Sequence, residues 1–110
     1  MLPSSQRLAT KQLEEVLKKG KVIHSSFFWL KFIYAKNKHI SVITPQKIIK
    51  SAVMRNNIRR KVYNAIKLFI NDVKQDLHVV VCVKEPLIKA ETTQIQEKAK
   101  EIFNIAKLLK

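Results

Sequence analysis

Ile58, Val62, Ala65, Ile66 and Phe69 return at the spacing of one helix face, inside a run from Ser51 that is otherwise rich in cations and amides. A strand would scatter these residues over both of its sides, so the spacing commits the segment to a helix with one packing face. Arg59, Tyr63, Asn56, Lys67, Arg60 and Asn64 fan across the other side. A solvated surface helix is the ordinary explanation of such a charge run. Three observations favour a face that meets a polyanion. No acidic residue occurs from Ser51 to Asn71, Arg is mixed with Asn as phosphate and sugar recognition requires, and the chain carries a formal net charge of +14.

That charge, from 22 Lys and Arg against 8 Asp and Glu, self-repels in isolation and is relieved by a polyanionic partner. Nucleic acid is the leading partner, with an anionic membrane surface as the competitor. No segment reaches the roughly 18 apolar residues of a spanning helix, and no charged segment followed by an apolar one opens the chain. Met1-Leu-Pro-Ser-Ser reads as an ordinary free terminus, and the expected location is cytoplasmic, without membrane contact. The 110 residues, 46% of them hydrophobic, suit a single domain over 1–110 with one core. Cys82, the one cysteine, sits in the apolar run Val79–Val83 and reads as a small core residue, not as a nucleophile. His24, His39 and His78 lack the spacing of a metal site and read as surface or strand-edge residues.

Along the chain, a first helix is expected from a Thr10 cap, with Leu13, Val16 and Leu17 on one face and Gly20 as its stop. The aromatic run Phe27–Ala35 predicts a strand, Lys36–His39 a turn, and His39–Thr44 its antiparallel partner, ended by Pro45. Lys47–Ile49 is a candidate short third strand. Ser51 is the expected N-cap of the basic helix, which should run to about Ile70. Val79–Val83 predicts a buried strand. Thr93 and Gln96 suggest a capping box for a last helix with the stripe Ile95, Ala99, Ile102, Phe103 and Ala106. The fold class is α+β, a small mixed and mostly antiparallel sheet of about four strands packed with three helices, in the order α-β-β-(β)-α-β-α.

The central run resembles the bacterial ribonuclease P protein component. That family's motif, approximately Gly-Asn-Ala-Val-x-Arg-Asn-Arg-x-Lys/Arg-Arg, is met by Lys50, Ser51, Ala52, Val53, Met54, Arg55, Asn56, Asn57, Ile58, Arg59 and Arg60. The likeness extends to an N-terminal Arg7-Leu8 pair, a helix ending in Gly20, an aromatic strand, a second strand with Lys47 near its end, an apolar strand and a final helix. Asn57 stands in place of the motif's middle Arg, Lys50 in place of Gly, and Tyr63 where another Arg is common.

The resemblance implies a protein subunit that binds a catalytic RNA and the 5′ leader of precursor tRNA. The implied RNA-binding residues are Arg55, Asn56, Asn57, Arg59, Arg60, Lys61, Tyr63 and Lys67, with Lys47 and Lys50 ahead of the helix. Arg55 with Arg59, and Asn56 with Arg60, lie one turn apart and offer two adjacent rows of donors. The implied leader cleft, between the first helix and the sheet, is assigned to Leu13, Leu17, Phe28 and Lys31, with core packing an equal alternative for Phe28. Phe27 and Trp29 read as core or sheet-face residues. Bond cleavage would belong to Mg2+ held mainly by the RNA; the protein is expected to supply no catalytic residue and no metal ligand. The carboxylates agree, since Glu14, Glu15, Asp72, Asp76, Glu85, Glu91, Glu97 and Glu101 include no pair on adjacent expected strands. Two competitors are a generic structural or ribosome-associated RNA-binding protein and a stand-alone nuclease. A DNA partner is not expected, because a strand and not a helix precedes the basic helix.

Overall fold

The computed structural model describes residues 10–110. The elements are α1 (Thr10–Lys19), β1 (Lys21–His24), β2 (Phe28–Tyr34), β3 (His39–Ile43), α2 (Ala52–Lys67), β4 (Leu77–Val83) and α3 (Thr92–Ile105). The α+β class and the order of elements are as the sequence predicts. The side chain of Thr10, the expected cap, and the Arg7-Leu8 pair lie outside the described residues.

The sheet order is β1-β2-β4-β3, with β1 and β4 antiparallel to β2 and β3 parallel to β4. The expected hairpin between β2 and β3 does not form, because β4 lies between them. The physical reason is burial. Leu77-His-Val-Val-Val-Cys-Val83 is buried at every position, which only a central strand covered on both faces achieves. A connection of four residues, Ala35–Lys38, suffices to step over it, since two strand spacings are only about 10 Å. The parallel pairing of β3 with β4 needs a crossover, and α2 supplies it.

The additional strand is not Lys47–Ile49, where the chain makes a turn over 46–48, but Lys21–His24, whose pairing with β2 fixes the α1 exit. Gly20 does not stop α1 through a left-handed conformation, for no glycine has positive φ among the described residues. It is required by close approach: a Cβ there would run into the Val16 carbonyl oxygen and sit 3.1 Å from Lys31 Cβ. Lys18 and Lys19 occupy the last turn of α1, where the helix dipole favours cations.

One face of the sheet presents Phe28, Leu30 and Phe32, Ile40 and Val42, and Leu77, Val79, Val81 and Val83. Against it pack Ile58, Val62, Ala65, Ile66 and Phe69 from α2 and its exit, and Ile95, Ala99, Ile102 and Phe103 from α3. The Phe69 and Phe103 rings meet edge to face at 5.3 Å. The opposite face presents Trp29, Lys31, Ile33, His78, Val80 and Cys82, by the period of two that every strand obeys. There α1 crosses β2 and β4, burying Val16 outside the main core.

Ser51 caps α2 as expected, its hydroxyl accepting from Met54 N at 3.2 Å. The helix ends at Lys67, with a 3-10 turn at Ile70–Asp72 in place of its expected last turn. The capping box of α3 uses Glu91 and Gln94, two residues before the predicted pair. The exit of α3 places Lys107 at φ 59, with Leu108 N donating to Phe103 O and Lys107 N to Asn104 O, both at 3.0 Å. This is a Schellman closure with a lysine where glycine is usual.

Candidate nucleic-acid interface

The basic helix divides its polar residues into two rows with different jobs. The row Arg55, Arg59, Tyr63, each one turn from the next, is turned back onto β3 and the loop after it. Arg55 Nη1 donates to the carbonyls of Ile49 and Lys50, both at 2.9 Å. Arg59 donates from Nη2 to Thr44 Oγ1 at 3.0 Å and from Nη1 to Asn56 Oδ1 at 2.8 Å. Tyr63 is 2% exposed, and its hydroxyl accepts from Val42 N at 3.1 Å. Because β3 is the outer strand of the sheet, that hydroxyl satisfies a backbone donor that β4 does not reach.

Tyr63 therefore corrects the expectation of an outward, RNA-facing side chain. Its ring joins the core and its oxygen is committed to the sheet edge. The adjacent row, Asn56, Arg60, Asn64 and Lys67, is exposed, as are Asn57 and Lys61 on its flank. Lys47 and Lys50 stand exposed on the loop before the helix, and Val53 and Met54 add exposed apolar surface in its first turn. Arg55 and Arg59 are half-buried; they contribute charge here while their hydrogen bonds hold the helix in place.

The charge is segregated along the chain. No Asp or Glu occurs between Glu15 and Asp72, a stretch that holds 13 of the 22 Lys and Arg. Because α2 and both edge strands belong to this stretch, the field around the helix meets no internal acidic partner within it. The one ion pair among the described residues, Lys98 with Glu101 at 3.4 Å, lies on α3.

The second candidate surface lies between α1 and the opposite face of the sheet. Leu13 and Leu17 are half-buried on α1. Lys31 Nζ donates to Leu17 O at 2.9 Å, where the unpaired carbonyls of the helix end favour a cation, and lies 5.9 Å from the centre of the Trp29 ring. Phe28 is fully buried and points to the other face, into the main core, which corrects its assignment to the cleft. Trp29 is the aromatic on the cleft side, half-exposed. Its parity with Lys31 was the available signal: residues two apart on a strand share a face, so the neighbour of a cleft residue is Trp29 and not Phe28.

His78 also departs from expectation. It is buried on the central strand, directly opposite His39, with the two rings edge to face at 5.1 Å. Burial pushes its imidazole below the ordinary value of 6.5, and His39 adds to this while Glu15 opposes it. Cys82, on the same face, is 4% exposed, and burial pushes its thiol up to about 11, which removes the thiolate a nucleophile needs. Among the described residues no three His, Cys, Asp or Glu gather to hold a metal, and no helix is long and apolar enough to cross a membrane.

Comparison with known proteins agrees with this geometry. A family model described as Ribonuclease P matches residues 2–107. The ribonuclease P protein component of Pseudanabaena sp. (strain PCC 6903) is 26% identical over 113 residues, spanning 99% of this chain and 97% of that one. The RNase P protein of Staphylococcus aureus has the same fold, with a TM-score of 0.84 at 20% identity over 96% of this chain and 98% of that one. The RNase P protein of Thermotoga maritima gives 0.77 at 18% identity over 86% and 92%. Matched over nearly its whole length, the chain belongs to the ribonuclease P protein family, the RNA-binding protein subunit of the ribonucleoprotein endoribonuclease that processes tRNA.

Proposed function

We propose that the outward row of α2 docks on the catalytic RNA of ribonuclease P, and that the surface between α1 and the sheet receives the 5′ leader of precursor tRNA. The observation that carries the first part is the division of α2 into a row spent on the fold and a row left exposed, Asn56, Arg60 and Lys67, within the acid-free stretch. Lys61, Asn57, Lys47 and Lys50 extend this row toward the loop, so that cations and amides follow a phosphate ridge. For the leader, Leu13 and Leu17 offer apolar contact and Trp29 a stacking face. Lys31 brings a cation to the same surface.

In this reading the subunit is cytoplasmic and does not break the phosphodiester bond itself. Magnesium ions held by the RNA supply that chemistry. The protein's fixed cations take over part of the screening that diffuse ions otherwise provide, and so favour the folded RNA with its substrate. Reconstitution with a bacterial ribonuclease P RNA tests this. The protein should lower the magnesium needed for leader removal and should show no cleavage alone. Cleavage by RNA-free protein, lost on mutating a single acidic or histidine residue, would overturn the reading. Trp29→Ala should weaken binding of precursor with a leader more than binding of mature tRNA, and equal losses would move the leader off this surface.

A further inference from the structure

We propose that Thr44 and Arg59 are positioning residues that fix the side-chain amide of Asn56 as a hydrogen-bond donor toward an oxygen acceptor on the docked RNA. The proposal rests on the reading of α2 as the RNA-docking helix and assigns the chemistry of one contact within it. A guanidinium has donors only, so the Asn56 atom that faces Arg59 Nη1 at 2.8 Å is the carbonyl oxygen. The amide nitrogen of this exposed residue is then left with both N–H groups for an outside partner. That partner is an acceptor: a phosphate, ribose or base carbonyl oxygen.

Thr44 is what aims the guanidinium. It follows β3 directly, is 7% exposed, and accepts from Arg59 Nη2 at 3.0 Å. The planar fork of Arg59 thus bridges a buried hydroxyl fixed to the sheet edge and an amide on the helix surface. Without the anchor, Arg59 swings freely, and Asn56 is free to turn its carbonyl outward, where it repels a phosphate. A buried threonine that never meets RNA is thereby coupled to RNA recognition.

The experiment measures affinity of the full-length protein for an in vitro transcribed bacterial ribonuclease P RNA across a salt series, at a temperature where every variant is folded by circular dichroism. Thr44→Val keeps the shape and loses the hydroxyl; it should weaken binding about fivefold, the worth of one hydrogen bond. The salt slope should stay unchanged, because no charge is removed. Thr44→Ser should restore affinity. Arg59→Lys keeps the charge, but a single ammonium cannot span both partners, so it should bind like Thr44→Val and provides the test if that variant does not fold. In an Asn56→Ala background both substitutions should have no further effect.

Losses that add to that of Asn56→Ala would overturn the proposal, since the effect would then run through the fold and not through the amide. Arg60→Ala separates the two levels. If it weakens binding while Thr44→Val and Arg59→Lys both bind as the parent protein does, the relay is wrong and docking through α2 stands. If Arg60→Ala leaves affinity and slope unchanged, docking through α2 falls and takes the relay with it.

Discussion

Replacing Tyr63 by Phe removes one oxygen from a buried site and leaves the ring in place. The oxygen accepts the Val42 amide at 3.1 Å, and Val42 is 4% exposed on the outer strand, so no water readily replaces it. A buried amide left without an acceptor costs about 1–2 kcal/mol here, in the lower part of the range for such groups because the strand edge can relax. The unfolding entropy of 110 residues is ~0.23 kcal/mol/K, so Tm should fall by about 4–9 °C. Thermal denaturation followed by circular dichroism measures the shift, and hydrogen exchange should show Val42 losing protection more than Val79 on the central strand. At a temperature where both proteins are folded, RNA affinity should be unchanged within about twofold, since a hydroxyl turned to the sheet contributes no RNA contact. An unchanged Tm together with a clear loss of RNA affinity would refute the reasoning, because it would put the hydroxyl on the outer face of α2.

Three further outcomes are expected. Removing the charges of Arg60 and Lys67 together should make the logarithmic salt dependence of RNA binding shallower by roughly 0.7–0.9 per lost phosphate contact, as read from titrations across a salt series. Because the imidazole of His78 is depressed, the unfolded chain takes up its proton first. Stability should therefore be complete above pH 6.5 and decline as pH falls from there toward the lower folded value, and His78→Gln should flatten that part of a Tm–pH curve. Lys107→Gly should raise stability by about 0.5–1 kcal/mol, because a side chain at φ 59 carries a steric cost that glycine avoids; a lower Tm in this variant would contradict the closure described for α3.

Much of the molecule is legible from local pattern. The spacing of Ile58, Val62, Ala65, Ile66 and Phe69 gives α2 and its buried face, Ser51 gives its start, and the stripe from Ile95 to Phe103 gives α3. Each of these depends on residues within a few turns of one another, where helix geometry leaves little choice. The excess of cations, and with it a polyanionic partner, follows from composition alone, while the choice of RNA rests on the Arg-Asn run of α2 and its resemblance to the family motif. The faces of β2 are partly legible: Phe27–Ala35 is apolar at both parities, but Lys31 marks the side that Trp29 shares and Phe28 does not.

Only the tertiary structure decides which strand lies beside which. A β2–β3 hairpin is the short-range solution, yet it would leave the continuous apolar run of β4 at an edge, and burial on both faces of that run outweighs the shorter connection. The same choice assigns the polar residues of α2. With β3 placed outermost, the Val42 amide that no strand pairs and the hydroxyl of Thr44, just after the strand, lie against one side of the helix and draw in Tyr63 and Arg59. A helical wheel ranks those two residues as exposed because it knows the angle of each side chain but not what stands beside the helix. That neighbour is set by strand pairing over long sequence separations, and it leaves Asn56, Arg60 and Lys67 as the row free to meet RNA.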